Sequence, residues 1–84
     1  MKIKVEVKLK PGHFDPEGDV TAKSLRDLGF PVTNVKVGKS YILDVEVDDV
    51  KEALRLAEEM CKKLLANPVK DDYSIEVLRS ETGS

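Results

Sequence analysis

Residues Lys2 to Lys10 alternate without a break, with Ile3, Val5, Val7 and Leu9 on one side and Lys2, Lys4, Glu6, Lys8 and Lys10 on the other. A period of two belongs to a β-strand that is dry on one face and wet on the other. Such a strand cannot stand alone: its apolar side needs neighbouring strands and a covering layer, and the rest of this short chain must supply both.

Two segments read as the covering helices. Asp15-Pro16-Glu17 is a helix start, with Asp15 as N-cap and Pro16 at the first helical position, and Gly29 suits the left-handed cap after about Leu28. Val20, Ala22, Leu25 and Leu28 give that helix a modest apolar stripe. Asp49 and Glu52 stand in capping-box relation at the head of a stronger helix that extends to about Ala66, before Asn67-Pro68. Val50, Ala53, Leu54, Ala57, Met60, Cys61, Leu64 and Leu65 form its expected buried stripe, with Glu58–Lys62 and Glu59–Lys63 as i, i+4 pairs outside it.

Val32 to Val37 reads as a second strand, Gly38-Lys39-Ser40 as a tight turn, Tyr41 to Val47 as a third strand, and the alternation of Tyr73, Ile75 and Val77 as the last. The order is β-α-β-β-α-β. Right-handed crossovers then give an α+β, ferredoxin-like domain over residues 1–79, a four-stranded antiparallel sheet with two helices on one face, followed by a polar tail over 80–84.

Fourteen Lys and Arg against sixteen Asp and Glu leave a net charge of -2, the wrong sign for nucleic acid or an anionic membrane as main partner. No apolar run reaches the roughly 18 residues of a membrane span, and a cytoplasmic protein is expected. One cysteine, Cys61, allows no internal disulfide, and with the single His13 it cannot build an ordinary metal site.

This fold order serves many activities, so function has to come from particular residues. Base stacking would need aromatic residues on the central strands, where only Tyr41 occurs, in the core register. A soft-metal carrier would place cysteines in the first loop, which is Pro11-Gly12-His13-Phe14. Asp15, Glu17 and Asp19 at the first helix would repel a phosphate. His13 is the one candidate general base, with Asp15 its only neighbour able to orient it, and its loop position favours a plain surface role. Cys61 in the buried stripe reads as an inert structural thiol. No catalytic, cofactor-binding or metal residue is therefore assigned. Lys2, Lys4, Lys8 and Lys10 with Lys36 form a charged strip suited to solvent or an acidic partner. Ile42 and Leu78 fall in the outward register among polar residues and point to covered surface.

Leu9-Lys10-Pro11-Gly12, Asp15-Pro16-Glu17-Gly18, Leu28-Gly29, Val37-Gly38-Lys39, the run from Cys61 to Val69 containing Leu64-Leu65-Ala66-Asn67-Pro68, and Asp72-Tyr73 together resemble the PurS family. The resemblance spans Lys2 to about Arg79, and the Leu-Leu-Ala-Asn-Pro-Val stretch is its most specific part. It implies the small subunit of phosphoribosylformylglycinamidine synthase, which makes an amidine in purine biosynthesis. The complex uses ATP, Mg and glutamine, with a large synthetase subunit (PurL) and a glutaminase subunit (PurQ). The PurS homodimer would hold these two together for ammonia transfer and bind no cofactor itself. Lys10, Lys39 and Tyr73, beside turns, are then contact candidates along with Ile42 and Leu78, and dimerisation is expected at an open sheet edge or on the face carrying Ile42 and Leu78. The competing readings are a small-molecule-binding regulatory domain of the same fold, and a minimal enzyme built on His13 and Asp15.

Overall fold

The computed structural model describes residues 1–78, so Arg79 and the tail expected over 80–84 lie outside the described residues. Strand β1 (Lys2–Leu9) is followed by α1 (Pro16–Asp27), β2 (Gly38–Asp44), α2 (Val50–Met60) with a π-helical last turn (Cys61–Leu65), and β3 (Asp71–Leu78). The sheet is antiparallel in the order β2-β1-β3.

Alternation along β1 does what its period demands. Ile3, Val5 and Val7 are buried under α2, while Glu6 and Lys8 on the other face are exposed. The facing stripe of α2 is Ala53, Ala57 and Cys61, three small residues at intervals of four, which let the helix axis lie close to the central strand. Tyr41, Leu43, Val45, Val47, Tyr73 and Ile75 close the margins of this core. Asp49 caps α2 by accepting from the Glu52 N–H at 3.1 Å. At the other end the Ala66 N–H reaches back five residues to the Cys61 carbonyl at 3.0 Å, which makes the π-helical turn.

Helix α1 takes the predicted caps. The Asp15 side chain accepts from the Gly18 N–H. At its end the Phe30 N–H bonds the Leu25 carbonyl and the Gly29 N–H bonds the Arg26 carbonyl, a Schellman pair that requires the left-handed φ of +97° found at Gly29.

Three expectations need correction. The described residues hold three strands, not four: residues 31–37 join no ladder, and Gly38-Lys39-Ser40, expected as a tight turn, are the first residues of β2, opposite Lys8, Val7 and Glu6. The third strand correspondingly starts and ends earlier than expected, with Val45 tied on by reciprocal bonds to Met1. The cause is local. The second Asp15 oxygen accepts from the Val37 N–H at 2.8 Å, so the returning segment is held against the start of α1 and is spent there before β2 begins.

The two helices also do not share the sheet face. The molecule measures 48 × 33 × 14 Å, room for one helix layer on one sheet, and α1 packs extensively on neither the sheet nor α2. Instead α1 pairs with its own return segment: Arg26 donates to the Val32 carbonyl, and Gly18 lies against the Val35 carbonyl. Together, residues 15–37 form an arm.

The expected stripe of α2 is therefore only half covered. Val50 and Leu54 are exposed and Leu64 is 83% exposed, and among the described residues α1 does not pack extensively on α2.

The root of the arm depends on pH. Backbone N–H donation from Val37, then from Gly18, with Lys36 nearby, holds the Asp15 carboxyl below the ordinary aspartate value. A depressed folded-state pKa stabilises the attachment fully above the unfolded value of about 3.9 and loses it as pH falls through the lower folded value. Amide resonances of Gly18 and Val37 should shift together in an acid titration at a pH below about 3.9. In Asp15→Asn that shared step should be absent; its persistence would show that another group controls the arm.

Candidate partner-binding surface

The five predicted contact residues fall into two groups at opposite ends of the sheet. Lys39 and Tyr73 flank Val7 on the helix-side face, one on each neighbouring strand. Both line a groove of about 360 Å³ with Lys8, Lys36 and Asp72. Lys10 follows at the end of β1, its backbone N–H bonded to the Lys70 carbonyl at 2.7 Å and its Nζ paired with Asp72 at 3.0 Å. Ile42 and Leu78 occupy the opposite face, as their register predicts. They stand on β2 and β3 with Lys4 and Lys2 of β1 between them, so they make two separate apolar points and no continuous patch.

Of these side chains, Lys10 and Tyr73 are engaged within the chain. The Tyr73 hydroxyl donates to the Glu58 carboxylate at 2.9 Å, tying β3 to α2, and that bond with burial raises its pKa. Lys36 and Lys39 make no ion pair among the described residues, which leaves two ammonium groups free beside the groove. An acidic partner surface fits there.

Groups that were weighed for catalysis are otherwise engaged. Both Asp15 oxygens accept backbone N–H bonds, so that carboxylate serves the arm and does not orient the His13 ring; the His13 backbone N–H bonds the Lys10 carbonyl in a turn. Cys61 is fully buried, and burial with the nearby Glu58 charge pushes its thiol pKa up, away from the reactive thiolate. Among the described residues no group of three metal-ligating side chains converges, and no helix is long and apolar enough to cross a membrane.

Two surfaces escaped the sequence reading. One is the open flank of α2, where Leu43, Leu56, Met60, Leu64 and Leu65 line an apolar groove of about 560 Å³. The other is the arm, which exposes Val20, Leu28 and Phe30, with Phe14 exposed just before it. The available signal was the width of the α2 stripe, broader than a three-stranded sheet can cover.

Comparison with known proteins bears on which partners such surfaces meet. Residues 2–79 match the family model described as PurS, phosphoribosylformylglycinamidine (FGAM) synthase. The chain belongs to the PurS family. Its match to the synthase subunit PurS of Archaeoglobus fulgidus is 50% identical over 72 residues, covering 84% of this chain and 90% of that one. Among solved structures, PurS of Methanocaldococcus jannaschii is 42% identical with a TM-score of 0.84, covering 95% of this chain and 98% of that one. A chain in the PurLQS structure of Thermotoga maritima is 32% identical with a TM-score of 0.83, covering 92% and 95%. The membership of the family gives the regulatory-domain reading no support.

Proposed function

We propose that this chain is the PurS subunit of phosphoribosylformylglycinamidine synthase and works there as a cytoplasmic, non-catalytic adaptor. It holds the large synthetase subunit (PurL) and the glutaminase subunit (PurQ) in register, so that ammonia released from glutamine reaches the synthetase before it escapes. ATP, Mg and glutamine are handled by those partners. The observation that carries this reading is the likeness, over nearly the full length of both chains, to a subunit of PurLQS. The structure adds a physical reason: both Asp15 oxygens are spent on internal contacts and the Cys61 thiol is buried, while Lys39 and apolar residues such as Leu64 face outward.

The working unit is a homodimer. An 84-residue chain whose α1 rests on neither sheet nor α2 leaves too much apolar surface in water to be a finished monomer. Two free sheet edges, β2 and β3, are available for pairing. The edge is the better choice over the face of Ile42 and Leu78, because β1 lysines divide that face. A four-stranded ferredoxin-like unit is reached only when a second chain supplies the missing strand.

Reconstitution tests the adaptor role. With the large subunit and glutaminase mixed at fixed concentration, adding this chain should raise glutamine-dependent amidine formation at least tenfold, while the rate with ammonium chloride stays within twofold. Equal glutamine-dependent rates with and without the chain would refute it.

A further inference from the structure

Charge is not spread evenly over the sheet face turned away from α2. Lys2, Lys4 and Lys10 each hold a carboxylate: Asp44 at 3.0 Å, Glu6 at 3.4 Å and Asp72 at 3.0 Å. Lys8, on the same strand between Lys4 and Lys10, holds none. Its neighbour across the ladder is Asp72, and Glu6 stands two residues away on the same face, yet the first turns to Lys10 and the second to Lys4.

Opposite Lys8 on β2 is Gly38, which has no side chain to fill the space, so this end of the sheet is notched. Lys36 and Lys39 border the same groove of about 360 Å³, together with Ser40 and Ser74. Lys8, Lys36 and Lys39 are all exposed, and none makes an ion pair among the described residues. In the adjoining cavity the Asp15 and Asp71 carboxylates are turned onto backbone N–H groups, and only Glu17 is without a side-chain bond among the described residues. In a chain of net charge -2, three unpaired ammonium groups around one notch are a local surplus of the opposite sign.

We infer that this groove seats an extended, carboxylate-bearing segment of a partner subunit, an Asp- or Glu-rich stretch that pairs with Lys8, Lys36 and Lys39 and whose backbone meets the Ser40 and Ser74 hydroxyls. The inference rests on the adaptor reading above and assigns one of its contacts a place. The build of the site favours a protein over a small anion. A pocket for a free phosphate or nucleotide encloses its ligand and aims fixed donors at it. Here the groove is open, its cations sit exposed on flexible stems, and no buried side-chain donor among the described residues lacks a partner. Such cations steer and register an acidic surface. Each exposed pair contributes up to about fivefold in affinity, and salt screens it.

The reconstituted synthase tests this through the concentration of chain that gives half-maximal glutamine-dependent amidine formation. Lys36→Glu/Lys39→Glu removes two pairs and adds repulsion, and should raise that concentration about 10- to 100-fold while flattening its rise with salt between about 0.05 and 0.3 M. Lys51→Glu/Lys62→Glu changes the net charge equally at exposed positions of α2 and its last turn, and should stay within about threefold of the parent. Equal weakening by both pairs, or none by the first, overturns the inference and leaves the adaptor role standing. A parent chain that gives no stimulation overturns both. Because Lys36 neighbours Asp15, Lys8→Glu/Lys39→Glu repeats the test with the arm untouched if the first variant loses the parent's circular dichroism. Sodium tripolyphosphate titrated against the full chain is the last arm. Amide shifts of Lys36, Lys39 and Ser40 that saturate below about 0.1 mM would assign the groove to a small phosphorylated ligand and overturn the protein partner; none is expected.

Discussion

Ile3→Ala is expected to cost about 2–5 kcal/mol of stability, the largest loss from any single truncation in the chain. Ile3 is fully buried on the central strand, opposite Leu43 on β2 and Val77 on β3, and is among the largest side chains wholly removed from water. Its cover is the stripe of Ala53, Ala57 and Cys61, already seated close to the sheet, and such small side chains cannot move in to fill the space. Domains this small hold about 0.05–0.15 kcal/mol per residue, so the loss removes a large fraction of the total. At fixed protein concentration, urea unfolding should show a lower midpoint with an unchanged slope. A change below about 1 kcal/mol would place the stabilising core elsewhere.

Period and caps were legible because they are local. The alternation of β1 marks one dry face whatever covers it, and the caps of α1 act within a few residues: Asp15 on Gly18, Gly29 on Arg26. The fate of residues 32–40 was not legible, because Gly-Lys-Ser reads the same whether a hairpin closes or opens. What decides it is a pair of distant contacts. Asp15 holds Val37, and Gly38 fits beside β1 because it lacks a Cβ, which would sit 2.8 Å from the Val7 carbonyl oxygen.

The candidate surface shows the same division. The outward register of Ile42 and Leu78 follows from alternation alone. Their separation by β1 depends on strand order, which a linear pattern does not carry. Leu54 and Leu64 were marked as apolar correctly, yet periodicity does not say which element covers an apolar position, or whether that element belongs to the same chain.

Gly18→Ala separates arm from core, and its sign is the test. Judged by helix propensity alone, alanine in α1 should stabilise by about 1 kcal/mol. The added Cβ would instead run into the Val35 carbonyl oxygen and lie 2.9 Å from an Asp15 carboxylate oxygen. Backbone and a hydrogen-bonded carboxylate are the obstacles, so the first turn of α1 has to move and take Asp15 away from Val37. Crowding of this kind typically costs about 1–3 kcal/mol, or about 5- to 150-fold in an equilibrium constant. The buried cluster of the sheet contains no residue of α1, so that cost falls on the arm. Amide exchange in β1 and β3 should keep its native protection, while exchange in α1 quickens by that factor. A variant whose α1 amides exchange as slowly as the parent's would mean that the close approach of Gly18 to Val35 carries none of the arm's stability.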